Sequence, residues 1–215
     1  MSRAARGGRA PASARPAKAV ARPAAVQAPG EVRIIGGQWK RSKLPVADRP
    51  GLRPTPNRVR ETLFNWLGQD LAGWHCLDAF AGTGALGFEA ASRGASGVLL
   101  VEQDAALVAA LRATAQRLSA GAVRVQRGDG LAALRAAAPA SLHLVLIDPP
   151  FGHDEFFMPA LQAAARALAP DGFIYLEAPT RWADKTLEAL GLQQHRHLHA
   201  GAVHAHLLRR AAGAE

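Results

Sequence analysis

The sequence predicts an α/β fold with a mostly parallel sheet, helices on both faces and an antiparallel last strand. From residue 74 onward, short apolar runs of strand length alternate with segments whose apolar residues recur at helical spacing. Two strand-like runs then flank Ala200-Gly201-Ala202, which indicates an antiparallel hairpin. We therefore expect a seven-stranded sheet, preceded by a small N-terminal extension made of a β-hairpin and a helix.

Size and composition limit the class of protein. A chain of 215 residues is long enough for one medium domain with a substantial core. No run approaches the roughly 18 apolar residues of a membrane span, and the start lacks the apolar segment of a secretory signal. The single cysteine, Cys76, excludes an internal disulfide and is typical of a reducing compartment, where we expect it to be an inert core thiol. We expect a cytoplasmic monomer.

Positive charge is concentrated at the N-terminus. The net charge is +9, and residues 1–30 supply six of these charges, without one acid, from Arg3, Arg6, Arg9, Arg15, Lys18 and Arg22. The segment is rich in Ala, Pro and Arg and has no periodicity, so we expect it to be disordered. An RNA-attracting arm, an organelle transit peptide and a dispensable extension all remain open.

Residues 31–70 form the predicted extension, and basic residues surround an aromatic ring there. Residues 32–45 indicate a strand, a Gly-Gly turn and a second strand, with Trp39 among the cations. Cations suit phosphates and a ring face suits an unpaired base, so we predict RNA contact, with a solvated hairpin and an inward Trp39 as the alternative. The predicted contacts in the hairpin are Arg33, Trp39, Lys40, Arg41 and Lys43.

A helix is predicted to follow over residues 57–67, with Thr55 as its N-cap and Pro56 at its first position. Its apolar residues recur at helical spacing and predict a buried face. We place Arg53, Arg58 and Arg60 before the cap or on the opposite face, available to RNA or to a ligand carboxylate.

Glycines join the first strand of the sheet, which ends near residue 79, to the next helix. Gly82, Gly84 and Gly87 match G-x-G-x-x-G where a strand opens into a helix, which suits either a dinucleotide or S-adenosylmethionine. Asp78 in the last turn of the strand would repel a pyrophosphate but attract the amino group of S-adenosylmethionine. Glu102, at the end of the next strand, could hold ribose hydroxyls of either ligand. We therefore favour S-adenosylmethionine, contacted by Asp78, Phe80, Ala81, Gly82, Thr83, Gly84 and Glu102.

A third acidic residue, Asp129, lies near the end of a predicted strand, as Asp78 and Glu102 do. A helix is expected over 104–118 and a strand over 122–127, after which Asp129 reaches the same edge of the sheet. Its carboxylate could accept from an adenine amino group, or it could simply cap the next helix.

The segment Asp148-Pro149-Pro150-Phe151 comes directly after the apolar run at 142–147. Two prolines end that strand in a stiff turn, so a carboxylate, a rigid run of carbonyls and a ring are presented together. A purely structural strand end with a buried ring is the alternative. Beyond it we expect a helix over 155–168, a strand over 173–177 and a helix over 181–190.

The last hairpin carries five histidines. His195, His197 and His199 alternate along the first strand, but no carboxylate or cysteine nearby completes a ligand set. We predict a polar, solvent-facing surface and no metal.

Several segments carry a resemblance to a known family. They are 33–39 (Arg-Ile-Ile-Gly-Gly-x-Trp), 52–55 (Leu-Arg-Pro-Thr), 58–66 (Arg-Val-Arg-Glu-Thr-Leu-Phe-Asn-Trp), 78–87 and 148–151. From residue 32 to about 208 the chain resembles the bacterial 16S rRNA (guanine-N2)-methyltransferase family. Asn57 and Ala79 depart from it, because the family usually has Asp and often has Leu there. The resemblance implies a Rossmann-like class I methyltransferase fold, here residues 71–215.

The resemblance also implies an activity. S-adenosylmethionine would be bound by Asp78, Gly82, Gly84, Glu102 and Asp129, and the acceptor would be a guanine in rRNA of the small ribosomal subunit. Asp148 and the Pro149 carbonyl would accept the two amine hydrogens, while Phe151 stacks on the base. The alternatives are a DNA adenine-N6 or different rRNA methyltransferase, a non-catalytic RNA-binding assembly factor, and a dinucleotide oxidoreductase.

Overall fold

The computed structural model describes residues 1, 31–46, 55–150, 152–211 and 213. The predictions for residues 2–30, Arg53 and Phe151 concern positions outside these described residues.

Seven strands form one sheet in the order β5-β4-β3-β6-β7-β9-β8. They are β3 (His75–Asp78), β4 (Gly97–Glu102), β5 (Val123–Arg127), β6 (Leu142–Ile147), β7 (Leu168–Ala178), β8 (Leu192–Ala200) and β9 (Val203–Arg210). The pairings among β3 to β7 are parallel, whereas β9 lies antiparallel between β7 and β8. The predicted seven-stranded sheet with an antiparallel last strand is confirmed.

Helices cover both faces of the sheet. They are α1 (Asn57–Leu67), α2 (Ala85–Ser92), α3 (Ala105–Arg117), α4 (Gly130–Ala136), α5 (Phe157–Ala167) and α6 (Asp184–Glu188). The first three contribute to one apolar cluster and the last three to a second cluster. Alternate residues of the central strands enter opposite clusters, for example Leu146 and Ile147 of β6, as expected for a sheet buried on both faces.

The predicted N-terminal hairpin is present. Strands β1 (Glu31–Arg33) and β2 (Lys43–Pro45) pair antiparallel and form a separate two-stranded sheet. The connection between them docks on α2, where Glu89 accepts hydrogen bonds from the backbone N–H groups of Ile35 and Gly36 at 2.8 Å.

Some boundaries differ from the sequence prediction. Strand β7 begins at Leu168 rather than at residue 173. Leu142 of β6 pairs with Leu168, and this pairing extends the parallel ladder toward the N-terminus of β7. Helix α5 correspondingly ends at Ala167 and is preceded by a short 3₁₀ helix, Asp154–Phe156.

The predicted N-cap of α1 is wrong. Pro56 occupies the cap position, and the Thr55 side chain donates a hydrogen bond to Asp148 instead.

Within the described residues, no helix is long and apolar enough to cross a membrane.

Candidate functional site

The candidate site lies at the carboxyl ends of β3 and β6. From β3 the chain passes to β4 and β5 on one side, and it later returns through β6 to β7 on the other. In an open α/β sheet this reversal leaves a crevice outside the strand ends, where ligands bind. Asp78 and Asp148 stand at the ends of these two neighbouring strands.

Asp78 is a buried carboxyl, 2% exposed. Its Oδ2 accepts a hydrogen bond from the Gly87 backbone N–H at 3.1 Å, so its position is fixed by the start of α2. Burial raises the pKa of Asp78 to about 7, and the nearby Glu102 charge adds to the rise. No cation among the described residues pairs with Asp78, so an arriving ammonium group would gain a counter-charge that the protein itself does not supply.

The loop between β3 and α2 takes the shape that its glycines permit. Gly82 and Gly84 have φ values of 51° and 75°, in the left-handed region that glycine tolerates. The Gly82 N–H donates to Glu102 Oε2 at 2.9 Å, and the Asp104 N–H donates to Glu102 Oε1 at 2.8 Å. Glu102 thus ties the glycine loop to the end of β4, and its contact with a ribose stays a prediction.

The other predicted donor contacts lie around this loop. Ala81 and Thr83 are buried, whereas Phe80 is half-buried with its ring centroid 6.1 Å from that of Phe156. Asp129 caps α4 by accepting from the Ala132 N–H at 2.7 Å. The capping alternative for Asp129 therefore holds, and its contact with a ligand stays a prediction.

Asp148 follows β6 directly, and a hydroxyl group contacts its carboxylate. The Thr55 Oγ1 donates to Asp148 Oδ2 at 3.3 Å. The residue keeps some exposed surface, but burial of its carboxyl raises the pKa of Asp148 well above the ordinary value, and the charges of Glu177 and Asp78 raise it further. Pro149 is buried beside it and Pro150 is exposed.

Sequence reasoning missed two members of this site. Glu177, near the end of β7, is 8% exposed and accepts a 2.6 Å hydrogen bond from the Tyr175 hydroxyl. Burial raises the pKa of Glu177. Thr55 was interpreted only as a helix cap. An acid at the carboxyl end of a predicted strand, next to the strand of Asp148, was the available signal for Glu177.

The predicted RNA contacts separate into exposed and buried groups. Lys40, Arg41 and Arg58 are exposed. Arg33 and Lys43 are also exposed, and each forms an ion pair with Glu31, at 2.8 and 2.7 Å. Trp39 is half-buried and packs against the first apolar cluster, so the alternative of an inward tryptophan is partly right.

The prediction that Arg60 contacts RNA is wrong. Arg60 has no exposed surface, and its Nη2 donates to the Arg33 carbonyl at 3.0 Å and to Asn57 Oδ1 at 2.6 Å. Its Nη1 lies 3.5 Å from Glu89 Oε2, an ion pair inside the core. The helical pattern of α1 predicted a surface position for Arg60, because its partner Glu89 lies on another helix and cannot be inferred from that pattern.

The histidines of the last hairpin do not all face solvent as predicted. His206 is fully buried, and its Nε2 accepts a hydrogen bond from the Trp182 N–H at 3.2 Å. Burial lowers the pKa of His206 to about 4, with a smaller effect of His197. Across the described part of the chain, no three His, Cys, Asp or Glu side chains are grouped to hold a metal ion.

Comparisons with known proteins agree with this architecture. The family model described as conserved hypothetical protein 95 matches residues 32–209. Ribosomal RNA small subunit methyltransferase D of Escherichia coli K12 is 51% identical over 122 residues, which are 57% of this chain and 61% of that protein. The chain therefore spans less than two thirds of this relative in the alignment. The protein of the same name from Haemophilus influenzae is 41% identical over 70% of this chain and 80% of its own length.

A solved structure extends the likeness to the fold. The structure of yhhF from Escherichia coli is 38% identical with a TM-score of 0.71, and the match covers 85% of this chain and 99% of that one. The predicted class I methyltransferase fold is confirmed. Since the family model matches most of the chain, this protein belongs to the conserved hypothetical protein 95 family, together with the ribosomal RNA small subunit methyltransferase D proteins.

Proposed function

We propose that this protein transfers a methyl group from S-adenosylmethionine to the exocyclic N2 amine of a guanine in 16S rRNA of the small ribosomal subunit. The single observation that carries the proposal is that Asp78 and Asp148 lie at the carboxyl ends of the neighbouring strands β3 and β6, each without a cation among the described residues. The names of the relatives support ribosomal RNA as the substrate class.

The donor side of the site suits S-adenosylmethionine in its charges and its hydrogen-bonding groups. Asp78 would pair with the amino group, and N–H groups of the glycine loop would bind the carboxylate. Glu102 and Asp129 would accept from ribose hydroxyls and from the adenine amine. When bound, the donor supplies a methyl carbon activated by the positive sulfonium.

The acceptor side has to position a weak nucleophile. The lone pair of an exocyclic guanine amine is delocalised into the ring, so the amine must be held and partly pyramidalised. Asp148 accepts one N–H and the Pro149 carbonyl accepts the other, which directs the lone pair at the methyl carbon. The N–C bond forms as the C–S bond breaks, and the amine then releases a proton to Asp148 or to water. Such positioning can contribute roughly 7–11 kcal/mol.

A flat base must reach this turn, so the guanine has to be unpaired or flipped out. Phe151 is assigned, from the sequence, to stack on the base. The exposed cations of residues 31–70 would bind the phosphates around the target nucleotide, which makes this extension the proposed RNA surface.

Replacing Asp148 by alanine tests the acceptor role. We expect single-turnover methyl transfer to small subunits to fall by roughly 10²–10³-fold or more, because the amine loses its oriented acceptor. Binding of S-adenosylmethionine, measured by calorimetry, should survive. Asp154→Ala, at an exposed position in the following 3₁₀ helix, is the matched control. A wild-type rate in Asp148→Ala would exclude the assignment.

The target base needs a separate measurement. Mass-spectrometric mapping of rRNA from cells lacking the gene should reveal one guanine without its N2-methyl group, restored when the gene is returned. Loss of a methyl group from adenine instead would contradict the guanine assignment.

A further inference from the structure

Two carboxyl groups meet beside the acceptor turn. Ile147 of β6 pairs with Leu176 of β7, so the next position on each strand sets Asp148 beside Glu177. Residues in register on parallel strands point to the same face, and Glu177 shares its face with Tyr175. Asp148 and Glu177, which we call the acid pair, therefore approach each other at one edge of the sheet.

The acid pair is held by hydroxyl groups. Tyr175 donates to Glu177 Oε1 at 2.6 Å, and Thr55 donates to Asp148 Oδ2 at 3.3 Å. The Thr55 hydroxyl also lies close enough to Glu177 to favour its charged form, but it has one proton to donate. The two carboxyls therefore compete for it.

A second buried glutamate, Glu89, differs from the acid pair because it has cationic partners. Glu89 lies with Arg93 at 2.9 Å and Arg60 at 3.5 Å, so its charge is neutralised inside the core. Within the described residues, no cation forms an ion pair with either member of the acid pair. A buried charge without a counter-ion tends to gain a proton, and two adjacent carboxyls tend to share one.

We propose that Glu177 is a positioning residue that acts through Asp148: the acid pair shares one proton, and the negative charge of Glu177 keeps that proton on Asp148 until a higher pH, at which Asp148 ionises and accepts the amine N–H. This inference rests on the proposed function. An ionised carboxyl accepts that hydrogen bond with charge-assisted strength, whereas a protonated one does not. Glu177 thereby sets the pH at which the acceptor side of the site becomes competent.

The surroundings of the acid pair support this assignment. Burial raises the pKa of both carboxyls, and the charge of Glu177 raises the pKa of Asp148 further. Among the described residues, the other titratable groups that face the pair are Asp78 on β3, which adds negative charge, and Tyr175 on β7. On β9, the residue opposite Glu177 is Ala205, which has no charge.

The test is the pH profile of single-turnover methyl transfer to small subunits at saturating S-adenosylmethionine. Glu177→Gln keeps the size of the side chain and removes its charge, so the pKa of Asp148 should fall. We expect the acid limb, the low-pH side where the rate declines, to move down by about one pH unit or more. Glu177→Asp retains the charge and should keep the wild-type limb.

Glu188→Gln, at an exposed position on α6, is the matched control and should leave the profile unchanged. An unshifted acid limb in Glu177→Gln would overturn the inference. Thermal unfolding of each variant shows whether it is folded at the assay temperature.

A second measurement on the wild-type protein needs neither folding of a variant nor activity. Carboxyl ¹³C NMR should show Asp148 and Glu177 titrating in two coupled steps, with one proton still on the pair near neutral pH. Two independent titrations at ordinary carboxyl values would overturn the inference. If the wild-type enzyme transfers no methyl group while the coupled titration is present, the proposed function fails and the acid pair stands.

Discussion

Asp78 is a residue whose burial disfavours its charged form. Its pKa is about 7 in the folded protein, against an ordinary carboxyl value of about 4 in the unfolded chain. Between these values the folded state binds more protons than the unfolded state, so this residue makes stability fall as pH rises through that window. Below about pH 4 the carboxyl is protonated in both states and its cost is absent.

We therefore expect Asp78→Asn to stabilise the protein in the absence of a donor at pH 8 and to have little effect near pH 4. The gain in the free energy of unfolding should grow across the window, to at most about 4 kcal/mol. Denaturant unfolding at several pH values measures it. The same variant should lose affinity for S-adenosylmethionine in calorimetry, because the amide cannot neutralise the donor's amino group.

Asp171→Asn, at an exposed position of β7, is the control and should show neither effect. A gain in stability that does not depend on pH would contradict the explanation, since it would come from packing rather than from the charge of Asp78.

Single residues also show where sequence reasoning fails. Arg60 and Glu89 lie on different helices, and no local pattern reveals that one neutralises the other. Thr55 and Asp148 are separated by 93 positions, so the hydroxyl was assigned to the nearer helix start instead. Asp78 and Asp148 were predictable, because a carboxylate at the end of a buried strand is a local feature with a known place in the sheet.

At the scale of elements, the connection between β1 and β2 fits closely against the end of α2. Gly37 has φ of 72°, and a Cβ atom built there would lie 1.8 Å from the Ser92 carbonyl oxygen. The Ser92 hydroxyl donates to the Gly36 carbonyl at 2.6 Å and accepts from the Trp39 N–H at 3.0 Å. The extension is thus held on α2 by hydrogen bonds to Ser92 and by a close backbone approach that needs a glycine.

We expect Gly37→Ala to undock this hairpin without unfolding the sheet. Amide hydrogen exchange of residues 31–46 should accelerate, and binding to small subunits should weaken, while binding of S-adenosylmethionine stays unchanged. Gly73→Ala is the matched control, because Gly73 also has a positive φ of 83° but has no atom within 4 Å of its added Cβ. Equal exchange rates of residues 31–46 in the two variants would contradict the prediction, because the contact of Gly37 with Ser92 would then not hold the hairpin.

The elements themselves were predictable to different degrees. Each strand and helix of the alternating region carries its own periodicity, so β3 to β6 and α2 to α4 follow from local pattern. The start of β7 did not follow, because pairing of Leu168 with Leu142 extends a strand through a segment that contains Pro170 and Gly172. Pairing partners that lie far apart in the chain decide such boundaries.

Charge is a property of the whole molecule, and it is unevenly distributed. Of the net charge of +9, residues 1–30 supply six and the remaining 185 residues supply three. A nucleic-acid partner releases counterions in proportion to the phosphates that a protein neutralises, so affinity falls with salt at a rate that counts these contacts.

Deleting residues 1–30 separates the contribution of this basic tail to RNA binding from that of the hairpin cations. If the tail binds phosphate, the slope of log K against log salt for small-subunit binding should become shallower by roughly 0.7–0.9 for each phosphate contact that is lost. Lys40→Ala in the full chain should reduce the slope by about one contact, as expected of a hairpin cation that binds phosphate, and Lys185→Ala on α6 is its control. We expect both the deletion and Lys40→Ala to leave S-adenosylmethionine binding intact, because the residues proposed to bind the donor lie at the ends of β3, β4 and β5. An unchanged slope after deletion would assign the tail no contact with RNA, and the exposed cations of residues 31–70 would remain the proposed RNA surface.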